Sequence, residues 1–537
     1  MKPEDLFNAI TNLRDDQVEK AKPRPRLRRW IPTAIAACLV LTLVIAIAGG
    51  FPQVQTASQA IHKGNMRLAT AVYPALKPLA TEESAIESAP EESEPYYADS
   101  AEGPFASAER KEAGEESAEL QSFWAEHTEA LEEYGQKRTE YADQLSRFWL
   151  DSAKIFLSGD YANSEVPDLL GNGDDNRIYA PTELLVTLGM TAEITTGPAR
   201  QEILDLLGSA SIEDLRQTVK QIWNANYAQE EDHTLLTANS IWLRDDTDYH
   251  QDVLDILARD YYTDSFAGEM GSDEYNGLRR DWIDEKTNGF LSEVLENNPE
   301  LTDLPPQTNL ALTSTTYFNA EWEEEFKDTS NTERTFHNPD GDIDCTFMGQ
   351  SFWGTYYLGD TFGAVAKDLQ GGSRMLFLLP NEGTSTDSLL GDTQCRSLIT
   401  YFMKYKGISS TENSNPCQEK ELSINLAVPK FDITSTTDLG DGLKQMGVKT
   451  AMEEREDNWS FAPLLNHPTY LKTVPQTCRF KMDEKKVEAA SFTSAEAVAA
   501  GMILPEDEID FILDRPFLFL LVSDQGLPIY IGVVNQP

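Results

Sequence analysis

The sequence predicts an α+β fold with large sheets, and three observations predict it. Helical spacing governs the front of the globular part, where Leu145, Phe148, Trp149, Ala153, Phe156 and Leu157 form one stripe of YADQLSRFWLDSAKIFL. β-Branched and aromatic runs govern the back: LALTSTTYFNAEW, MLFLLP, LSINLAVPKFDI, FLFLLV and PIYIGVV. Helices gathered early and strands gathered late make an α+β class. The third observation is the stretch from Glu484 to Pro516, which carries the marks of a strand and of an exposed loop at once.

Taken in order, residues 1–29 are a polar, cytoplasmic tail closing in the basic cluster Lys20, Lys22, Arg24, Arg26, Arg28 and Arg29. The apolar run 30–51 has about the 20 residues a single helix needs to cross roughly 30 Å of hydrocarbon. Positive charge before it and acidic residues after it orient the remainder outside the cytoplasm, as a single-pass membrane protein. The alternative is a cleaved signal with Ala46-Ile47-Ala48 at the cut, giving a secreted protein. Residues 52–120, rich in Ala, Glu, Ser and Pro, hold too little apolar surface to order themselves. They read as an extended acidic spacer that holds the next domain off the membrane. A charge-rich helical lead-in follows over 121–140, and the globular domain occupies 141–537.

Within that domain RIYAPTELLVTLGM enters a second helix, with Pro181 in its first turn. TANSIWLR is a strand. YNGLRRDWIDEKTNGFLSEVL is a helix, a turn at Asn288-Gly289 and another helix. LALTSTTYFNAEW is a central strand, with Phe318 and Trp322 in the core.

The stretch 484–516 alternates by twos. Val487, Ala489, Ser491, Thr493, Ala495, Ala497 and Ala499 are small and uncharged, while Lys486, Glu488, Phe492 and Glu496 fall between them. A slip of one residue would drive three charges inward, which is prohibitive. The segment then runs into Gly501, Pro505 and the acidic residues Glu506, Asp507 and Glu508, which belong to an exposed loop.

Composition excludes several functions. A formal charge of -46 and a pI near 4.4 oppose binding to nucleic acid, whose phosphates would be repelled. The five cysteines show no CxxC spacing, although Cys395 and Cys417 could pair. The six histidines are scattered, with no HExxH helix and no GxSxG elbow, and His467 reads as a solvated turn residue. Gly371-Gly372 is a hairpin turn rather than a phosphate loop. No metal site, cofactor or enzymatic activity is expected.

The carboxyl end, DRPFLFLLVSDQGLPIYIGVVNQP, resembles the terminal strands of serpins, the serine protease inhibitors. DWIDEKTNGF (Trp282, Lys286, Thr287), YFNAEW (Phe318, Trp322), VPKFDI (Pro429, Lys430, Phe431) and DEKKVEAA match in the family's order, over roughly residues 141–537. The resemblance, a bacterial-type one given the anchor, implies about three β-sheets surrounded by helices, with an exposed reactive-centre loop. It implies a suicide mechanism in which a protease cleaves the loop and is trapped as the loop inserts into the main sheet. About fourteen inserted residues would span roughly 45 Å. The hinge and inserting face would be Glu484, Val487, Ala489, Ser491, Thr493, Ala495 and Ala497. Two departures stand out. Lys486 and Val487 hold hinge positions where the family favours Gly and then Thr or Ser, and the shutter beneath the sheet has Ala180, Glu183, Ser314 and Gln476 in place of Ser, Ser, Asn and His. A buried Glu183 needs a partner or a proton. These departures keep a non-inhibitory surface or scaffold protein as the alternative.

Family spacing from Glu484 places the reactive bond at Ala500-Gly501. Counting back from Pro516 moves it toward Met502-Ile503. Neither count offers a trypsin-like protease a basic side chain, because no Lys or Arg lies between Lys486 and Arg515. Ala499, Ala500 and Gly501 suit elastase-like or subtilisin-like serine proteases. The acidic run from Glu506 to Asp510 favours enzymes with a basic surface beyond the cut. The expected state is a monomer.

Overall fold

The computed structural model describes residues 66–73, 139–159, 176–230, 232–338, 341–404, 416–487 and 508–537. The apolar run 30–51, most of the lead-in, and the loop with Ala489, Ser491, Thr493, Ala495, Ala497, Ala500, Gly501, Met502 and Ile503 lie outside the described residues. Among the described residues no helix is long and apolar enough to cross a membrane.

Two sheets carry the fold. In chain order the strands are β1 (Met66–Ala69), β2 (Arg177–Tyr179), β3 (Ala228–Gln229), β4 (His233–Arg244), β5 (Thr263–Gly268) and β6 (Leu310–Glu321). There follow β7 (Thr332–Phe336), β8 (Ile343–Leu358), β9 (Phe362–Asp368), β10 (Arg374–Pro380), β11 (Gln418–Pro429) and β12 (Phe431–Asp438). The last five are β13 (Pro475–Met482), β14 (Lys486–Val487), β15 (Glu508–Ile512), β16 (Phe517–Val522) and β17 (Pro528–Val534). The main sheet runs β1-β5-β4-β6-β14-β13-β12, with β3 on β4. The second runs β15-β11-β8-β9-β10-β16-β17-β2, with β7 on β8. Where about three sheets were expected there are two, because β8 pairs with β11 over Phe347–Leu358 and its last three residues, Tyr356–Leu358, pair on their other side with β9, so two limbs share one strand.

Helix α1, over 139–156, buries the predicted stripe. Helix α2 (Pro181–Ile194) starts at Pro181, whose missing N–H is no loss in a first turn. It packs on β6 and β17, behind the main sheet. Helices α3 (Gly197–Leu206), α4 (Ile212–Ala225) and α5 (Gln251–Asp260) follow. Helix α6 (Asp273–Lys286) joins an aromatic cluster with β4 and β5, where Trp242 stacks on Phe266 at 4.3 Å and meets Trp282 edge-on. Asn288 and Gly289 then take left-handed φ of 51° and 75°, the predicted turn, before α7 (Ser292–Asn297). The sheets meet through Phe431 and Phe480 of the main sheet and Phe517 and Phe519 of β16. Phe480 and Phe519 approach to 4.4 Å, each ring contributing on the order of 2 kcal/mol by burial. No disulfide joins Cys395 to Cys417.

Part of the expected spacer is built into the fold. Residues 66–69 pair antiparallel with β5 and make it an inner strand. Ala71 N–H donates to Asp264 Oδ1 at 3.0 Å, and the Arg67 guanidinium pairs with Asp264 and lies 5.0 Å over Phe266. Tyr73 stacks on Trp223 at 5.5 Å. MRLATAVY is a short, mostly apolar island in an acidic segment, and an open sheet edge buries its Ala69 and Ala71 and half-buries Leu68, while Val72 and Tyr73 stay exposed.

Candidate functional site: the seam between β6 and β13

β13 ends in Asp483-Glu484-Lys485-Lys486, and this turn sends the chain back antiparallel as β14. Asp at the first position is a turn signal with a mechanism: its Oδ1 accepts from Lys485 N–H at 3.0 Å and Lys486 N–H at 3.2 Å. β14 then lies between β6 and β13, with Lys486 opposite Glu321, and Val487 opposite both Ala320 and Met482. Lys486 is half-buried and Val487 buried, the parity read from the sequence. In the sheet order β6 and β13 are neighbours of β14, not of one another.

The turn is clamped from one side. Trp322 N–H donates to Lys485 C=O at 2.9 Å, its indole N–H donates to Asp483 C=O at 3.0 Å, and Phe326 N–H donates to Glu484 C=O at 2.8 Å. The Glu484 carboxylate is buried and takes an ion pair from Lys430 and a hydrogen bond from Asn331. Burial pushes its pKa up, yet the hydrogen bonds from Lys430 and Asn331 together hold it below the usual carboxylate value. Behind the clamp Lys367 Nζ lies 5.4 Å from the Trp322 ring, 5.0 Å from Phe326 and 5.9 Å from Phe352, and donates to Glu324 C=O at 2.5 Å. Its burial lowers its pKa to about 8, against the pull of Glu324, Asp368 and Glu323.

Further along the seam lies the shutter. Ala180 precedes α2 and brings no side-chain cap. Gln476 of β13 instead holds the backbone of Ala180 itself: its Oε1 accepts from Ala180 N–H at 2.9 Å and its Nε2 donates to Ala180 C=O at 3.1 Å. The same Nε2 stands 3.4 Å from Glu183, in the first turn of α2, and Glu183 also takes hydrogen bonds from the Thr316 side chain and backbone. A helix N-terminus favours a carboxylate by about 0.3–1 kcal/mol. Burial outweighs this and the hydrogen bonds together, pushing the Glu183 pKa up to about 8, so at neutral pH it is mostly the protonated acid. Tyr530 O–H donates to Thr316 C=O at 2.6 Å. Thr316 therefore has both N–H and C=O engaged by side chains from behind the sheet.

Ser314 does not join this group. Its Oγ accepts from Thr187 Oγ1 at 3.0 Å, one turn of α2 beyond Glu183. One helical turn rises about 5.4 Å and two strand residues about 6.7 Å, so 183 meets 316 and 187 meets 314. Thr316, Tyr530, Asn331 and Lys367 are site residues the sequence reading missed. Thr316 could have been found by that spacing, while the others are brought in by remote segments. Between the clamp and the shutter is a cavity of ≈ 20 Å³, room for about one water. Thr316, Tyr317 and Phe318 line one side, Arg479, Phe480 and Lys481 the other, and Val487 the top. Phe290, from the α6–α7 connection, closes the front. Arg479 donates to its carbonyl at 3.1 Å and lies 5.1 Å from its ring. Among the described residues no group of three or more His, Cys, Asp or Glu side chains could hold a metal ion.

Residues 168–537 match the model of the family described as Serpin (serine protease inhibitor). The chain belongs to the serpin family. A serpin-like protein of Thermococcus kodakarensis is 23% identical over 382 residues, 69% of this chain and 82% of the relative. Mouse neuroserpin is 24% identical, over 69% of this chain and 88% of its own. Among solved structures, the thermophilic serpin tengpin in its native state superposes with a TM-score of 0.60 at 22% identity, over 74% of this chain and 94% of tengpin. Arabidopsis AtSerpin1 in its native stressed conformation gives 0.59 at 22%, over 74% and 98%. At such identity the structural likeness shows the serpin fold. Members of the family are generally protease inhibitors rather than enzymes.

Proposed function

We propose that this serpin is an extracytoplasmic inhibitor of serine proteases, anchored through residues 30–51, that traps its target by loop cleavage and insertion. The observation that carries the reading is β14: the chain entering the loop already lies between β6 and β13 and points down the seam. Continued insertion adds ladder bonds and buries the small residues Ala489, Ser491, Thr493, Ala495 and Ala497. The loop before insertion is held by a barrier, a kinetic stability. The absence of Lys and Arg between Lys486 and Arg515 supports elastase-like or subtilisin-like targets, cut at Ala500-Gly501 or Met502-Ile503.

Incubation with a serine protease panel tests this. Covalent, SDS-stable complexes are expected, with a released carboxyl-terminal fragment starting at Gly501 or Ile503. Cleavage without complexes, or efficient trapping of trypsin through this loop, would sink the proposal. Ala489→Arg should turn the inhibitor into a substrate while Phe492→Arg, on the opposite parity, should not. Anchoring is checked by fractionation with membranes, and a soluble form beginning near Gly49 would overturn it.

Glu183 favours the second reading, a non-inhibitory surface or scaffold protein. An inserting strand would displace the side chains that satisfy Thr316 and leave a buried acid to be rearranged. Complex formation in the same panel discriminates the two.

A further inference from the structure

The outward face of the sheet limb beside the loop's return carries a tryptophan that the fold does not use. Trp353 of β8 is 54% exposed, and among the described residues its indole makes no ring contact and no side-chain hydrogen bond. Its register partner is Ser423 of β11, whose own partner on the far side is Glu508 of β15. In-register residues of neighbouring strands point to one face, so Trp353 shares a surface with Glu421, Glu508 and Asp510, spanning roughly 10 Å across the strands. Polar neighbours hold these carboxylates in place. Asn425 Nδ2 donates to Glu508 Oε1 at 2.6 Å and to Asp510 Oδ1 at 3.0 Å, and Thr355 Oγ1 donates to Glu421 Oε1 at 2.5 Å. The other outward positions here are Ser351, Thr355, Ser423 and Asn425, so the face is acidic and aromatic with no lysine or arginine among its described residues. Glu508 is the first described residue after the loop, which makes this face continuous with the segment leaving the cleavage site. Trp459, the other exposed tryptophan among the described residues, sits on a turn with no such continuity.

We infer that this face is a docking site for the target protease, one that presents an arginine- or lysine-bearing surface beside its cleft. A guanidinium can lie on the Trp353 ring while its neighbours meet the carboxylates, a pairing of cation with aromatic and anion that selects basic over acidic enzymes of equal cleft specificity. The inference rests on the protease-inhibitor reading and adds to it the means of choosing among proteases.

The test uses the full chain and proteases of the elastase-like and subtilisin-like classes whose catalytic serine is replaced by alanine, so that binding is read without cleavage. Trp353→Ala, and the triple variant Glu421→Gln, Glu508→Gln, Asp510→Asn, should each weaken binding of a basic protease about tenfold or more at low salt. The triple variant's loss should shrink toward 0.5 M salt, and an acidic protease should not respond. All these side chains are at the surface, so thermal midpoints should stay unchanged. Trapping rates with active protease should fall in parallel, with the number of inhibitor molecules consumed per complex unchanged. Binding equal to wild type in both variants overturns the inference, as does a change in sedimentation of the free Trp353→Ala protein, which would give the face to a second copy of the chain. If wild type binds the inactive protease through this face yet forms no covalent complex with the active one, trapping fails and docking stands.

Discussion

At the top of the seam the Asp483–Lys486 turn has three carbonyls held by Trp322 and Phe326 and an ionised carboxylate held by Lys430 and Asn331. Further down, Thr316 is held by a largely protonated Glu183 and by Tyr530, both reaching up from behind the sheet. Both ends withdraw a glutamate from water, Glu484 fully and Glu183 in part, and their environments drive it opposite ways. Glu484 has a cation within reach and stays charged. Glu183 has amide, hydroxyl and backbone donors but no cation, so burial prevails. The difference teaches where the sheet resists opening: the top is a clamp of directed bonds around a turn, and the middle is a neutral network that loses its footing when the acid ionises.

The comparison breaks most visibly at Trp322. Trp322→Ala removes a buried ring and the indole N–H donated to Asp483 C=O, leaving the backbone donor to Lys485 C=O in place, and should cost about 3–5 kcal/mol in denaturant unfolding. The variant should also lose inhibitory activity faster on warming, because β14 is no longer pinned. An unfolding loss under 1 kcal/mol would mean the clamp is not there.

Glu183 gives the next effect, through pH. Its pKa is raised from the usual 4.5 to about 8, so its contribution to stability is full below about pH 4.5 and is lost as pH climbs through 8. Glu183→Gln keeps the shape without the proton. Relative to wild type the variant should gain on the order of 2 kcal/mol between pH 5 and pH 9, discounted for the partial exposure of the side chain. A difference curve flat across that window would show Glu183 to be ionised in the fold.

Glu484 should respond in the reverse sense and less strongly. Its lowered pKa means its contribution is present above the unfolded value, near 4.5, and disappears as pH falls through the folded value. Glu484→Gln should cost about 1–2 kcal/mol at pH 7 and nothing well below pH 4. The smallest effect belongs to the edge strand. Arg67→Ala removes a half-exposed ion pair and a cation–ring contact, and should shift unfolding by less than about 1 kcal/mol.

Much of the fold was legible because it follows from local pattern. The stripe of α1, the start of α2 at Pro181, the turn at Asn288-Gly289 and the parity of Lys486 and Val487 each follow from spacing within one segment. The family resemblance singled out Glu484, Glu183 and Gln476, and the structure brings Glu183 and Gln476 within 3.4 Å of one another. Assigning Ser314 to the Glu183–Gln476 group failed because depth along a helix and along a strand must be matched between elements more than a hundred residues apart.

The sequence by itself determined the class, the order of the elements, the acidity and the period-two hinge, all properties of neighbours along the chain. Only the tertiary structure decided that Gln476 holds the backbone of Ala180, that Thr316 meets Glu183, that Lys367 backs the clamp and that residues 66–73 leave the expected spacer for the edge of β5. The physical reason is that hydrogen bonds and burial act over a few ångströms in space, and packing brings residues 180 and 476, or 67 and 264, within that range.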